Sequence, residues 1–176
     1  NRFMTTERIT DPCHPLYREA MKLYAISFPA HEQREPLSQS RILRDSAYHF
    51  DVVLDGDTFI GKILYWEVSG ALYIEHFCVS PSLRNRHYGQ KILTALQKQP
   101  LIFENDPPTD ATSLRRKGFY ERCGFVANPF RRIHPPYHRK NAGHELILMS
   151  FPDTLTNAEF QNFREFLQNT VMKEAY

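Results

Sequence analysis

Two closely spaced arginines lie where an apolar strand gives way to a helix, and this arrangement is suited to binding an anion. The run Leu72–Val79 is largely apolar, and apolar residues recur at helical spacing after Gly89. A helix is therefore expected to begin inside the turn Arg84–Gly89. Its N-terminal N–H groups and positive dipole end would attract a phosphate, and Arg84 and Arg86 would add positive charge. The turn therefore predicts a phosphate-binding cradle.

Glu75 interrupts the apolar strand before this turn and is suited to acid–base chemistry. Burial would raise the pKa of its carboxyl toward the range in which it exchanges protons near neutrality. A carboxylate of this kind could act as a general base. The alternative is a structural role, in which Glu75 is half exposed or paired with an arginine.

The strand and turn resemble the acyl-CoA-binding motif of the GNAT superfamily of N-acyltransferases. That motif reads Gln or Arg, two residues, Gly, any residue, then Gly or Ala, and the matching run here is Arg84-Asn85-Arg86-His87-Tyr88-Gly89. His87 occupies the position of the first glycine, and a negative φ at a helix start would accommodate it. The resemblance implies acetyl-CoA as cosubstrate, with contacts from Cys78, Val79, Arg84, Asn85, Arg86, His87, Tyr88, Gly89, Gln90 and Ser113.

A second run, Phe119-Tyr120-Glu121-Arg122-Cys123-Gly124-Phe125, resembles a later signature of the same family, Phe-Tyr-Glu-Lys-x-Gly-Phe. The resemblance implies that Tyr120 lies near the coenzyme sulfur and protonates the leaving thiolate. Ser113 and Arg116 differ from the asparagine and alanine of many relatives. The two motifs lie in the family's order, and the resemblance extends over roughly residues 50–150.

The resemblance also implies how an acyl group would be transferred. A backbone N–H near Cys78 or Val79 would stabilise the oxyanion if the strand bulges there, as it does in the family. Glu75 matches a base-positioning glutamate of some members. Neither Cys78 nor Cys123 has an activating partner in the sequence, so we expect direct transfer to the acceptor and no acyl-cysteine intermediate.

Length and composition favour a single domain spanning residues 1–176. A chain of 176 residues with 41% hydrophobic content can bury a substantial core. Its 22 basic and 20 acidic residues give a net charge of only +2, which argues against an electrostatic nucleic-acid binder. Three irregularly spaced cysteines, with no leader or membrane-length apolar run in the sequence, lead us to expect a reduced cytoplasmic setting without a membrane partner.

The sequence pattern predicts strands and helices in alternation. Strands are expected at Phe3–Ile9, His49–Leu54, Thr58–Val68, Leu72–Val79, Leu101–Glu104, Phe125–Ile133 and Glu145–Phe151. Helices are expected from Asp11-Pro12 to Pro29, over Leu37–Ser46, after Gly89, around Tyr120 behind a capping loop at Asp106–Asp110, and in a C-terminal extension, 155–176. The extension opens with a capping box at Thr156–Glu159, and its apolar stripe is expected to form a packing or homodimer face.

The segment Arg131–His144 is basic and rich in histidine. His134, His138 and His144 lack regular ligand spacing, so we expect no metal. The proline pair in this loop is expected to stiffen one wall of an acceptor pocket, and Arg131 and Arg132 would favour an acidic acceptor.

These observations predict an α/β protein with the GNAT fold, a central mixed and mostly antiparallel sheet flanked by helices, and an additional C-terminal helix. The implied activity is transfer of an acetyl group from acetyl-CoA directly to a primary amine of a small molecule or peptide. The alternative is a noncatalytic module of the same fold that binds acyl-CoA or a protein partner.

Overall fold

The computed structural model describes residues 4–176, and the side chains of all of these except Arg131 and Arg132. It contains a seven-stranded sheet in the order β1-β2-β3-β4-β5-β7-β6, in which only β4 and β5 run parallel. The strands are β1 (Met4–Arg8), β2 (Tyr48–Asp55), β3 (Thr58–Val68), β4 (Ala71–Val79), β5 (Leu101–Asn105), β6 (Val126–His134) and β7 (His144–Phe151). The expected mixed and mostly antiparallel sheet is confirmed.

Helices cover both faces of this sheet. They are α1 (Tyr17–Ser27), α2 (Pro36–Ile42), α3 (Tyr88–Leu96), α4 (Ala111–Arg122) and α5 (Asn157–Phe166). Side chains from α1, α2 and α5 pack into one apolar core, which we call the α1/α5 face. Side chains from α3 and α4 pack into a second core on the opposite side, the α3/α4 face. Of the described residues, none belongs to a helix long and apolar enough to cross a membrane.

Several element boundaries differ from those expected. Phe3 lies outside the described residues, so the predicted start of β1 is not tested. Helix α1 begins at Tyr17, later than its Asp-Pro signal, because Asp11 Oδ1 accepts a hydrogen bond from the backbone N–H of Cys13 and forms a turn instead. Helix α2 ends at Ile42, before the predicted Ser46, and Asp45 Oδ1 forms a similar turn with the N–H of Ala47.

The C-terminal helix is confirmed, together with its capping box. The Thr156 hydroxyl accepts from the N–H of Glu159, and the Glu159 carboxylate accepts from the N–H of Thr156. Phe160 and Phe163 are buried in the α1/α5 core, followed by Leu167 in a single π-helical turn. The apolar stripe is therefore a packing face of this chain.

Strands β4 and β5 diverge part of the way along their length. Their parallel pairing covers Leu72–Ile74 on β4 and Leu101–Phe103 on β5, although both strands continue beyond it. On its other side, β4 carries a register shift against β3 between His76 and Ile74, so Glu75 is a bulged residue. We call the opening between residues 75–79 of β4 and the end of β5 the wedge. It leads directly to the turn before α3.

Candidate active site

The predicted cradle lies at the N-terminus of α3, beside the wedge. The first hydrogen bond within the helix runs from the Lys91 N–H to the His87 carbonyl at 3.1 Å. The N–H groups of Tyr88, Gly89 and Gln90 therefore precede the intrahelical ladder and are available to an anion. Arg84, Asn85, Arg86 and Gln90 are exposed around them, and Arg84 Nε donates to the Val79 carbonyl at 3.3 Å. The turn thus combines free donors with mobile positive charge.

The expected negative φ at His87 is wrong. His87 is the residue preceding α3 and has a φ of 64°, and Asn85 has the same value two residues earlier. Both adopt the left-handed conformation that glycine supplies elsewhere, and Asn and His are among the non-glycine residues found there most often. The turn therefore keeps the backbone shape of a glycine-containing motif while carrying two side chains.

Gly89 packs closely on the α3/α4 face. A Cβ atom at this position would lie 3.3 Å from Phe119 Cζ and 3.6 Å from Phe77 Cζ. The absent side chain therefore lets α3 approach β4 and α4 closely. Its neighbour Tyr88 anchors the same turn, because its hydroxyl donates to Asp55 Oδ2 at 2.9 Å.

Glu75 lies on the bulge of β4 and belongs to a buried hydrogen-bonded network. Its carboxylate accepts from Arg34 Nη2 at 2.7 Å, from the Tyr137 hydroxyl at 2.8 Å and from Trp66 Nε1 at 3.1 Å. The side chains of Glu75 and Arg34 are both fully buried. Arg34 also donates to the carbonyl of Val171 at 2.9 Å, so this ion pair joins β4 to the C-terminal segment.

The expectation that burial raises the pKa of Glu75 is wrong. Desolvation alone would raise it, but the Arg34 guanidinium, the neighbouring His76 and the donors on Trp66 and Tyr137 together hold the pKa of this carboxyl below its ordinary value. A carboxylate that stays ionised and has three donors is a poor acceptor for another proton. The geometry therefore supports the structural alternative for Glu75.

The bulge expected near Cys78 and Val79 is wrong in position, because the register shift lies at Glu75. The Ser80 N–H donates to the Ile60 carbonyl of β3 at 2.8 Å, and hydrogen-bonding groups alternate sides along a strand, so the Cys78 N–H also faces β3. The Val79 carbonyl bonds to Arg84, on the opposite side. Of the two residues, Val79 therefore presents its N–H to the wedge.

Tyr120 lies where the wedge begins. Its ring packs against Phe103, the last residue of β5 paired with β4, with ring centroids 4.2 Å apart. Burial raises the pKa of Tyr120 to about 12, so the phenol carries its proton at neutral pH. Within the described part of the chain its hydroxyl has no hydrogen-bond partner, which leaves it able to donate a proton.

Ser113 has a different environment from the one predicted for a coenzyme ligand. It is buried at the third position of α4, where its N–H donates to Asp110 Oδ1 at 2.7 Å and its hydroxyl bonds to the same residue. These contacts form the N-terminal cap of the helix. The geometry supports a capping role for Ser113.

Besides Arg34, two buried basic side chains were not assigned a role from the sequence. Lys62 on β3 is fully buried, and His76 on β4 is 5% exposed. Lys62 lies two and four residues before Leu64 and Trp66, which belong to the buried α1/α5 face. A lysine in phase with inward-facing residues was therefore the signal that could have identified it.

A further feature lies between the segment that joins α1 to α2 and the loop between β6 and β7. A groove of about 820 Å³ lies there, lined by residues 30–31, 35–38, 41 and 138–141 and by Tyr176. Tyr137 extends from the loop into the core, where its hydroxyl donates a hydrogen bond to Glu75. The sequence did not indicate this contact. The side chains of Arg131 and Arg132, predicted to favour an acidic acceptor, lie outside the described residues.

The three histidines of this region form ordinary side-chain contacts. His138 bonds to Glu35 and to the Ala30 carbonyl, while His144 stacks on His134 with ring centroids 5.2 Å apart. Over the residues described, no group of three or more His, Cys, Asp or Glu side chains is arranged to hold a metal ion.

Sequence and structure comparisons agree with this geometry. The family profile described as an acetyltransferase (GNAT) domain matches residues 46–127. A protein of Bacteroides thetaiotaomicron assigned to the GNAT family of acetyltransferases is 29% identical, with a TM-score of 0.89 over 96% of this chain and 98% of that chain. No curated protein sequence matches the chain.

More distant solved structures share the fold. An acetyltransferase of Bacillus subtilis is 13% identical, with a TM-score of 0.55 over 84% of this chain and 97% of that chain. Arabidopsis thaliana Naa50 is 14% identical, with a TM-score of 0.58 over the same shares of the two chains. The family profile over residues 46–127 and the Bacteroides structure, together with the two motifs and the wedge, support placing the chain in the GNAT superfamily of acetyltransferases.

Proposed function

We propose that this protein transfers an acetyl group from acetyl-CoA directly to a primary amine of a small molecule or peptide. The observation that carries the proposal is the wedge between β4 and β5, which opens beside the free N–H groups and arginines at the start of α3. An extended thioester could lie along β4 with its pyrophosphate at the helix N-terminus. The proposed transfer requires both features side by side.

The coenzyme assignment draws support from two relatives of the same fold. The Bacillus subtilis structure is a complex with CoA, and that of Arabidopsis thaliana Naa50 is a complex with the bisubstrate analogue CoA-Ac-MVNAL. In this chain, Arg84 and Arg86 would hold phosphate groups, while the N–H groups of residues 88–90 would contact the pyrophosphate.

The transfer itself would use two groups that face the wedge. The N–H of Val79 would stabilise the oxyanion formed when the amine attacks the thioester carbonyl. The phenol of Tyr120 would give its proton to the departing thiolate. Glu75 and Arg34 would hold the bulged segment of β4 in position between these two groups.

The second candidate is a noncatalytic acyl-CoA-binding or protein-interaction module. One observation favours it: the predicted base Glu75 is held in a buried ion pair and accepts three hydrogen bonds. Such a protein would bind acetyl-CoA and leave it intact.

Turnover separates the two candidates. Release of CoA would be measured with acetyl-CoA and a panel of polyamines, aminoglycosides, amino acids and short peptides. We expect release with at least one amine, and a fall of about hundredfold or more in Tyr120→Phe with little change in acetyl-CoA affinity. Tyr17→Phe is the control, because Tyr17 is the first residue of α1 and does not line the groove. Binding of acetyl-CoA without release across the panel would favour the noncatalytic candidate.

A further inference from the structure

A lysine amine is buried in the protein without a charged or hydrogen-bonding partner. The Lys62 side chain is fully buried, and its Nζ forms no hydrogen bond with the described residues. Its contacts are two aromatic faces: Nζ lies 3.8 Å from the ring centroid of Tyr24 and 5.3 Å from that of Phe50. Ring faces attract a cation, but they cannot accept the three hydrogen bonds of an ammonium as water does.

Two further polar atoms in the same layer are buried without a partner in the described structure. His76 Nε2 bonds to the Glu32 carbonyl at 2.9 Å, and because a carbonyl only accepts, Nε2 carries the proton. His76 Nδ1 therefore has a lone pair, and it is buried with no hydrogen-bond donor, as is Ser27 Oγ. An unsatisfied cluster of this kind is where an internal water is expected, since a buried water needs two to four polar partners.

These atoms belong to one connected cluster. The rings of Tyr24 and His76 meet edge to face with centroids 5.0 Å apart, and Lys62 lies on the Tyr24 ring. Lys62 is also the register partner of Cys78, and the Ser27 hydroxyl lies near the Cys78 thiol without meeting the geometry of a hydrogen bond. We call Ser27, Lys62 and His76, together with the Tyr24 ring that Lys62 and His76 both contact, the buried amine cluster.

The cluster borders the wedge. His76 and Cys78 follow the bulge of β4 and belong to the five residues of this strand that lie beyond its pairing with β5. Lys62 lies one strand away, on the same face as His76. A group bound in the wedge on the α1/α5 face would therefore approach the lone pair of His76 and, through one water, the amine of Lys62.

We propose that Lys62 is the base that deprotonates the acceptor ammonium, through water held by His76 Nδ1 and Ser27 Oγ. This inference rests on the proposed acetyl transfer and names a base in place of Glu75. Burying an unpaired amine destabilises the folded state, and the described contacts of Lys62 offset that cost only through aromatic rings. A catalytic use accounts for its presence.

Every proton in the proposed step is accounted for, and no further reactant is needed. The acceptor ammonium gives one proton to the water, which passes one to the Lys62 amine, and the free acceptor amine attacks the thioester carbon. Collapse of the intermediate breaks the carbon–sulfur bond. The second proton of the attacking nitrogen neutralises the thiolate, relayed by Tyr120, and Lys62 returns its proton to solvent.

The groups around Lys62 allow it to act near neutral pH. It faces Tyr24 from α1 and His76 and Cys78 from β4, while β2 contributes the apolar Phe50. Burial lowers the pKa of Lys62 to about 7 and that of His76 to about 4, so His76 remains neutral. The rate should therefore rise with pH through about 7 as Lys62 loses its proton.

The test compares Lys62→Met with Lys22→Met, a control at an exposed position of α1. Acetyl-CoA binding, thermal unfolding and CoA release with the amine panel would be measured from pH 6 to 10. We expect Lys62→Met to unfold at a higher temperature, to bind acetyl-CoA with the affinity of the wild type, and to lose about hundredfold in kcat at pH 7. That loss should shrink toward pH 10, where free amine acceptors are abundant, and Lys62→Arg should not restore the rate.

The outcomes distinguish this inference from the function on which it rests. Wild-type kcat retained in Lys62→Met at pH 7 would overturn the role of Lys62 while leaving acetyl transfer intact. Binding of acetyl-CoA by the wild type without turnover would overturn both. A rate that falls in Lys62→Met with the same pH profile as the wild type would also contradict a base at this position.

Discussion

At the scale of single residues, the ion pair of Glu75 and Arg34 determines how the centre of the site is held. The Glu75 carboxylate, Arg34 and Tyr137 bring β4, the segment before α2 and the loop between β6 and β7 to one point. Because both charges are out of contact with water, each depends on the other for compensation. We therefore expect removal of Glu75 to affect folding before chemistry.

Glu75→Gln should lower the free energy of unfolding by roughly 3–5 kcal/mol, because it leaves Arg34 buried without a counter-charge. Urea denaturation followed by tryptophan fluorescence would measure this, since Trp66 is buried beside the pair. Glu67→Gln is the matched control. Because the Glu67 side chain is exposed, this substitution should change the free energy of unfolding by no more than about 0.5 kcal/mol. A Glu75→Gln protein of unchanged stability that had lost turnover would instead support a catalytic carboxylate.

His87 adopts a backbone conformation that favours glycine. His87→Gly should therefore raise the free energy of unfolding by roughly 0.5–1 kcal/mol, and His87→Val should lower it by about 1–2 kcal/mol, because a β-branched residue resists positive φ. Both variants would be compared in urea. Equal stability for glycine and valine would contradict a left-handed residue at this position, and loss of acetyl-CoA binding in His87→Gly would show that the imidazole itself binds the coenzyme.

The sequence located the motif residues but not their partners. Arg84 to Gly89 and Tyr120 stand out because their spacing along the chain is itself the signal. The partners of Glu75 come from positions 34, 66 and 137, and no local pattern links positions so far apart. The same reasoning explains why the pKa of Glu75 was predicted in the wrong direction, since its sign depends on Arg34.

At the scale of elements, the bulge and the divergence of β4 and β5 create the site. The bulge changes which side chains of β4 face α1, so Glu75 and His76 both contact residues of the α1/α5 face. Beyond Ile74 the strand no longer pairs with β5, which frees the outward-facing N–H of Val79. Both features arise from tertiary pairing, so a sequence pattern predicts the strand but not the position of its irregularity.

The C-terminal helix contributes core packing to the sheet that carries the site. Phe163 is buried against Tyr73 with ring centroids 5.0 Å apart. Phe163→Ala should lower the free energy of unfolding by roughly 3–5 kcal/mol. Phe166→Ala should lower the free energy of unfolding by clearly less, because Phe166 is half-buried at the edge of the same apolar stripe. Equal losses in chemical denaturation would contradict the burial pattern of this helix.

At the scale of the whole molecule, two neutral bases in the core make stability depend on pH. Lys62 and His76 have pKa values of about 7 and about 4 in the folded protein, both below their ordinary values because of burial. For each residue, the pKa is lower in the folded protein than in the unfolded chain. Between its folded and its ordinary pKa, the unfolded chain binds a proton that the folded protein lacks. Stability therefore rises with pH across each of those ranges.

The difference in stability between Lys62→Met and the wild type should consequently vary with pH. The methionine variant should be the more stable, most strongly at and below about pH 7, and the difference should narrow toward the ordinary lysine pKa of 10.5. Thermal unfolding at a series of pH values would measure it. A difference that stays constant from pH 6 to 10 would show that Lys62 is not an uncompensated buried base.

The overall architecture followed from the sequence because several independent patterns agreed. The apolar strands, the capping loop at Asp106–Asp110 and the capping box at Thr156 each specify local structure that the sheet then accommodates. The groove beside the loop between β6 and β7 did not follow from the sequence in this way, because segments distant in sequence line it.

Isothermal titration of acetyl-CoA into the folded protein tests the central claim that the start of α3 is a coenzyme cradle. Gly89→Trp would disturb packing against Phe119, so the double variant Arg84→Gln/Arg86→Gln is the sharper probe. Arg18→Gln, at an exposed position of α1, is its control. We predict clear binding by the wild type and the control, and at least about tenfold weaker binding by the double variant at low salt. No binding by the wild type, or equal binding by all three proteins, would contradict the cradle.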